Sequence, residues 1–274
     1  MTKPITLGAV LYDPKVSIIW DIIREFFEAS GVAMDVVYFT NYERQVDALV
    51  RGLVDIAWHS PLAWLETQHV GKTGFAAIAM RDTDCDRCTH LVVRKASRIA
   101  ALADLRGKTV AMGAKDSPQA TLIPTEFLRA SGLVAGTDYQ VQRFDVLVGK
   151  HGDHIGGELE AFKHLASGQA VASAMLDLNW KAWTADGTIN ADQFAILATT
   201  DRFDHCVFAM RNDFPAPARD HWLEVLFSMS YDNPKHREMM DMEGLKAWVP
   251  GRTTGFGILA RAVEHAQWFQ ELGL

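Results

Sequence analysis

An α/β protein of two similarly built lobes is predicted by three features of the sequence. Strand-like and helix-like hydrophobic periods alternate along most of the chain. The order helix, glycine, strand, loop, helix occurs over residues 42–65 and again over 158–183. The length, 274 residues, exceeds that of a typical single domain.

The elements follow in order. Residues 5–11 read as a buried strand, and 16–30 as an amphipathic helix with Ile19, Ile22, Ile23, Phe26 and Phe27 on one face, closed by Gly31. A strand at 34–39 leads to a helix at 42–51 that carries Val46, Leu49 and Val50, and then to a strand at 54–58. Ser60-Pro61 is a helix start: a hydroxyl cap, then a proline whose missing N–H costs nothing in the first turn. Strands at 76–80 and 91–94 end the first section. The second section places strands at 109–112, 139–144 and 171–175, with helices at 118–131, 158–167 and from 177 onward. A strand at 207–210 precedes a mostly helical tail, with helices near 220–231, 234–242, 243–248 and 258–272. No low-complexity tether separates the sections, so strands are expected to join them.

Composition narrows the function. A content of 49% hydrophobic and 22% charged residues is that of a globular protein. The net charge of −7, with no basic run, argues against nucleic-acid binding, which needs a positive field. Apolar runs are broken by charge too soon to span a membrane as a helix. Three cysteines do not make a disulfide scaffold. The first residues enter a strand without a basic leader and cleavage site, so a cytoplasmic protein is expected, with a periplasmic one the alternative if a leader has been removed.

In open α/β sheets, ligands sit beyond the carboxyl ends of strands. Three segments fit that place: Trp58-His59-Ser60-Pro61, Asp116-Ser117-Pro118-Gln119-Ala120-Thr121 and Asp177-Leu178-Asn179. Each Ser-Pro start offers a hydroxyl and backbone N–H groups to an anion, or simply caps its own helix.

These residues resemble a family. Thr40-Asn41-Tyr42, Val54-Asp55-Ile56-Ala57-Trp58 and Arg106-Gly107-Lys108-Thr109-Val110-Ala111, each before a helix start, are similar to the phosphonate/phosphate-binding (PhnD-type) branch of type II periplasmic binding proteins. The likeness runs over residues 5–185 and fades in the tail. It implies two α/β lobes joined by two crossover strands, with a helical C-terminal tail: lobe one at 1–92, completed by 205–274, and lobe two at 93–204. It also implies a small polar or anionic ligand in an interlobe cleft, and an ABC transporter permease as partner. By the same resemblance Ser117, Gln119, Ala120 and Thr121 grip the oxyanion, Tyr42 faces them, and His154 and Asp177 meet the rest of the ligand. Tyr12, Trp58, His59 and Ser60 complete the expected set, with His59 equally readable as a packed histidine satisfied by backbone. Pro118-Gln119-Ala120 interrupts the hydroxyl run that phosphonate binders show, so a carboxylate or neutral polar ligand stands beside a phosphonate.

Two other features bear on function. Cys85-Asp86-Arg87-Cys88, with Cys206 beside His205, forms half or more of a zinc or other soft-metal site, with His90 or His205 as fourth ligand; free or disulfide-linked thiols are the plain alternative. His151, His154 and Glu158 are a weaker metal pattern. No cofactor is otherwise expected. A solute-binding protein is the first functional reading. The alternatives are a cytoplasmic enzyme on the same scaffold acting on a small acid, through His59, His154, Asp177 and the cysteines, and a metal- or metalloid-binding protein.

Overall fold

The structure is a computed structural model, and it describes residues 3–72, 74–153 and 156–274. The chain lays down β1 (Ile5–Val10), α1 (Lys15–Ala29), β2 (Met34–Phe39), α2 (Tyr42–Val50), β3 (Ile56–His59), α3 (Pro61–Gly71) and β4 (Phe75–Arg81). Next come β5 (Thr89–Arg94), β6 (Thr109–Met112), α4 (Ile123–Ala130), β7 (Gln140–Arg143), α5 (Gly156–Ala166), β8 (Ala172–Leu176), α6 (Asp177–Ala185) and β9 (Phe194–Thr199). The last part holds β10 (Val207–Arg211), α7 (Ala216–Phe227), α8 (Pro234–Glu243), β11 (Trp248–Pro250), α9 (Gly257–His265) and α10 (Trp268–Glu271).

Two units result: Met1–Cys85 with Asp204–Gly255, and Asp86–Phe203 with Phe256–Leu274. The chain therefore passes from one to the other at 85/86, 203/204 and 255/256. The tail expected to complete the first lobe is divided, and its last helices belong to the second unit. The reason is packing: α9 lies on α4, burying Ile258, Leu259, Ala262 and Val263, while His265 Nδ1 sits 3.0 Å from Glu126 Oε2.

The first unit has a six-stranded sheet in the order β11-β4-β10-β3-β1-β2. β1 runs parallel to β2 and β3, whereas β10 is antiparallel to both β3 and β4. β3 is buried along its whole length, as a strand covered on both faces must be, while the edge strand β2 is mostly half-buried or exposed. Its core is aromatic. Trp58 packs on Phe208 at 4.6 Å and on Trp248 at 5.7 Å, and Phe27 stacks on Trp222 at 5.1 Å. Such pairs add about 1 kcal/mol each beyond the area they bury.

The second unit has a five-stranded sheet in the order β7-β6-β8-β5-β9. β6, β7 and β8 are parallel, and β5 is antiparallel to β8 and β9. Alternation along β5 divides two cores: Leu91 and Val93 face Leu105, Val110 and Leu128, while Val92 faces Phe162, Trp183 and Phe194.

Four local expectations change. The helix expected at 118–131 opens as a π-helical turn, Pro118–Leu122, before α4. The helix expected at 243–248 does not form, because Gly244 takes a left-handed conformation (φ 75°) that ends α8, and Trp248 enters β11. A positive φ at Gln267 splits the terminal helix into α9 and α10. β9, which no pattern marked, is a half-exposed edge strand. Among the described residues no helix is long and apolar enough to cross a membrane.

Candidate functional site

Sheet topology selects one edge in each unit. In the first unit the chain leaves β1 for β2 on one side and reaches β3 on the other, so the loops after β1 and β3 flank a switch point. Tyr12 follows β1 and is half-buried against the core; Ser60 follows β3. Tyr42 begins α2, whose start is capped by Asn41 accepting from the Arg44 N–H at 3.1 Å, and it is buried with Val10, Val46 and Ala63.

The two Ser-Pro starts are built alike. Ser60 Oγ accepts from the Ala63 N–H at 3.1 Å, and its carbonyl accepts from the Trp64 N–H at 3.0 Å. Ser117 Oγ accepts from the Ala120 N–H at 3.2 Å, and its carbonyl accepts from the N–H groups of Thr121 (3.1 Å) and Leu122 (3.0 Å). Both serines are buried. The amides expected to receive an anion are thus largely spent within the turns, and each serine serves as a cap. The Ser117 hydroxyl keeps its own proton as a donor.

His59 is a packed residue, not an exposed donor. Its Nδ1 lies 2.9 Å from Gln45 Oε1, and its Nε2 lies 2.9 Å from Thr67 Oγ1. The Gln45 amide nitrogen donates to the carbonyls of Gly8 (2.7 Å) and Trp58 (3.0 Å), so its oxygen must face the ring and His59 carries a proton on Nδ1. Trp58, expected to line a cleft, is 5% exposed in the aromatic core, with the Arg81 guanidinium 5.2 Å from its ring centre.

The second unit concentrates polar chemistry at its strand ends. After β6, Asp116 Oδ2 accepts from the N–H groups of Gly149 (2.6 Å) and His151 (3.2 Å), and Gln119 Nε2 donates to the Gly152 carbonyl at 2.9 Å. This draws the 145–153 loop onto the π turn. Gly152 (φ 76°) is required there, since a Cβ would lie 2.2 Å from Ser117 Oγ. Thr89, at the start of β5, donates to the Gln119 carbonyl at 2.6 Å. Among the described residues Gln119 Oε1, Thr121 Oγ1, Asp116 Oδ1 and Asp177 Oδ1 are buried without a hydrogen-bond partner. Ala120 is buried beneath Gly113. Thr121 and Leu122, unlike Ser117, Gln119 and Ala120, line a groove of about 540 Å³ with Glu126, Arg129, His265 and Trp268.

Asp177 begins α6. Its N–H donates to the Cys88 carbonyl at 2.9 Å, and its Oδ2 lies 3.2 Å from Arg87 Nη1. Glu158 fixes this corner: one carboxylate oxygen accepts from the Leu176 N–H (2.6 Å) and from Asn179 Nδ2 (3.0 Å). Glu158 is therefore a structural tie at the end of β8. Its expected partner His154 lies outside the described residues. Arg87 is the residue that sequence reasoning missed. It sits inside the Cys-x2-Cys segment, where the flanking thiols drew the attention.

Among the described residues the three cysteines form no disulfide. Cys85 and Cys206 belong to the first unit and Cys88 to the second. Among the described residues one group of three side chains, Asp84, His205 and Cys206, brings metal-ligand atoms that all lie within 4.8 Å of one another. His205 Nδ1 is 3.1 Å from Cys206 Sγ and 3.5 Å from Asp84 Oδ1, while Arg81 donates to both oxygens of Asp84 at 2.7 Å. His90 Nδ1 is 3.0 Å from Thr199 Oγ1, and burial pushes its pKa down against the opposing pull of Asp177. Burial, then Asp177, pushes the Cys88 thiol up, against Arg87 and Arg202.

Comparison with known proteins places this arrangement. Solved structures of the same fold include PhnD1 from Prochlorococcus marinus in complex with methylphosphonate, 17% identical with a TM-score of 0.71 over 97% of this chain and 98% of that one. XAC2383 from Xanthomonas citri, bound to ATP, is 16% identical with a TM-score of 0.72 over 98% and 99%. PA3383 from Pseudomonas aeruginosa, a binding protein component of an ABC phosphonate transporter, is 14% identical with a TM-score of 0.67 over 97% and 87%. At these identities the likeness is one of fold. An uncharacterized protein of Haemophilus influenzae is 62% identical over 29 residues, 11% of this chain, so the chain spans about two fifths (41%) of the curated relative it matches. The model of one family, the periplasmic substrate-binding protein of phosphonate ABC transporters, matches residues 19–254. With well over half of its length matched, the chain belongs to that family of phosphonate-binding proteins.

Proposed function

We propose that this protein is the periplasmic, ligand-capturing component of an ABC transporter and that its ligand is a small phosphonate or phosphate-like oxyanion. The family match over residues 19–254 carries the reading. The chemistry of the second unit's strand ends supports it. Ser117 retains a hydroxyl proton to donate, Arg87 supplies a cation, and the π turn that presents Ser117 is a form of helix frequently found at functional sites. In the first unit Ser60 and Tyr12 hold the corresponding place after β3 and β1, while Trp58, His59 and Tyr42 act from behind by packing. A membrane permease is the partner such a component requires.

The test is a thermal-shift and calorimetric panel on protein stripped of ligand by unfolding and refolding. Methylphosphonate or inorganic phosphate at about 100 times its Kd is expected to add roughly 3 kcal/mol of stability, a rise of about 5–10 °C in Tm. If neither binds, or if only a carboxylate such as succinate does, the oxyanion reading is wrong.

A further inference from the structure

We infer that Arg87 sets the charge class of the ligand: by neutralising Asp177 it makes the second unit's strand-end corner select a purely anionic phosphonate over one that carries an ammonium group. The inference rests on the oxyanion reading above and narrows it.

Asp177 alone would attract a cation. Its carboxylate stands at the end of β8, buried enough that one oxygen has no partner among the described residues. An uncompensated carboxylate there would take an ammonium readily, because a charge-assisted hydrogen bond would satisfy that oxygen. The structure answers the charge internally. Arg87 Nη1 lies 3.2 Å from Asp177 Oδ2, with both side chains about one-fifth exposed (19% and 23%). An extended bridge fixes Arg87, its N–H donating to the Phe203 carbonyl at 2.7 Å and its own carbonyl accepting from the Phe203 N–H at 2.8 Å. Opposite, the Asp177 N–H is held by Cys88, and Glu158 holds Leu176 and Asn179 on either side of it. Both partners of the pair are therefore positioned by backbone bonds. A second guanidinium, Arg202, acts on the same Cys88 thiol as Arg87 and Asp177 do. Arg87 thus cancels the charge of Asp177, while Glu158 is taken up by its hydrogen bonds to the Leu176 N–H and the Asn179 amide. A ligand ammonium would gain Asp177 only by standing against Arg87, whereas a phosphonate or carboxylate oxygen meets the guanidinium directly.

The experiment is calorimetry with methylphosphonate and 2-aminoethylphosphonate on the wild type, Arg87→Ala and Arg87→Lys. The wild type is expected to prefer methylphosphonate at least ten-fold. Arg87→Ala is expected to narrow or reverse that ratio by ten-fold or more, and Arg87→Lys, which keeps the charge, to preserve it. A wild type that prefers the amino ligand overturns the inference, with no variant needed. So does an Arg87→Ala protein that loses affinity for both ligands equally. In either case phosphonate binding itself stands, whereas a wild type that binds neither ligand removes the oxyanion reading and the inference together.

Discussion

Arg81 holds Asp84 by two hydrogen bonds of 2.7 Å, Nε to Oδ2 and Nη2 to Oδ1, while its Nη1 reaches Glu243 at 3.0 Å. Burial by itself would raise the Asp84 carboxyl. The Arg81 charge and hydrogen bonds, joined by His205, outweigh it and hold that pKa at about 2. A folded-state pKa below the unfolded value of 3.8 stabilises the fold above about pH 4, and that stability is lost as pH falls toward 2. The contribution is about 2 kcal/mol. Urea midpoints measured from pH 5 to pH 2 should fall accordingly. Asp84→Asn should flatten the fall and cost about 3 kcal/mol at pH 7, because Arg81 stays buried with Glu243 as its remaining carboxylate.

Gln45 joins β1, β3 and α2 through three hydrogen bonds, to Gly8, Trp58 and His59. Gln45→Leu keeps the volume and removes all three, so a loss of about 3 kcal/mol is expected in chemical denaturation. A loss under 1 kcal/mol would mean that His59 does not depend on Gln45.

Gly152→Ala places a methyl group 2.2 Å from Ser117 Oγ and 2.9 Å from Gln119 Nε2, at a φ that disfavours a side chain. The expected result is a loss of about 2 kcal/mol and at least a ten-fold weaker affinity for the oxyanion, read by calorimetry. Unchanged affinity would detach the 145–153 loop from the ligand-binding edge.

Ser117→Ala and Thr121→Val separate capping from binding. Removing the Ser117 hydroxyl takes the cap from the Ala120 N–H, about 1 kcal/mol, and, on the oxyanion reading proposed above, is expected to weaken Kd at least ten-fold. Thr121 Oγ1 is buried without a partner among the described residues, so Thr121→Val should leave Tm unchanged or raise it. A lower Tm for Thr121→Val would show a hydrogen bond at that hydroxyl.

The two-unit plan was legible because it is written in local periods and in where helices start and stop. Capping serines, terminal glycines and alternating strands are decided within a few residues. What escaped depends on distant partners. β9 and β11 are edge elements whose half-buried side chains give no clean alternation. The tail's place in the second unit is set by α9 against α4, more than a hundred residues apart in sequence. The sequence leaves His59 open between a cleft-facing donor and a packed histidine, and only Gln45 and Thr67, which use both of its nitrogens, decide it. Arg87 gave no signal, because its meaning lies in Asp177, far along the chain.

The place of β10 bears on how the molecule is made. It is an inner strand of the first sheet, between β3 and β4, yet about 120 residues of the second unit are translated between β4 and β10. At roughly 5–20 residues per second, the ribosome leaves β3 and β4 each with an unfilled flank for some 6–25 s. A nascent chain in that interval exposes unpaired strand backbone, and a holdase that masks it would protect the yield of folded protein.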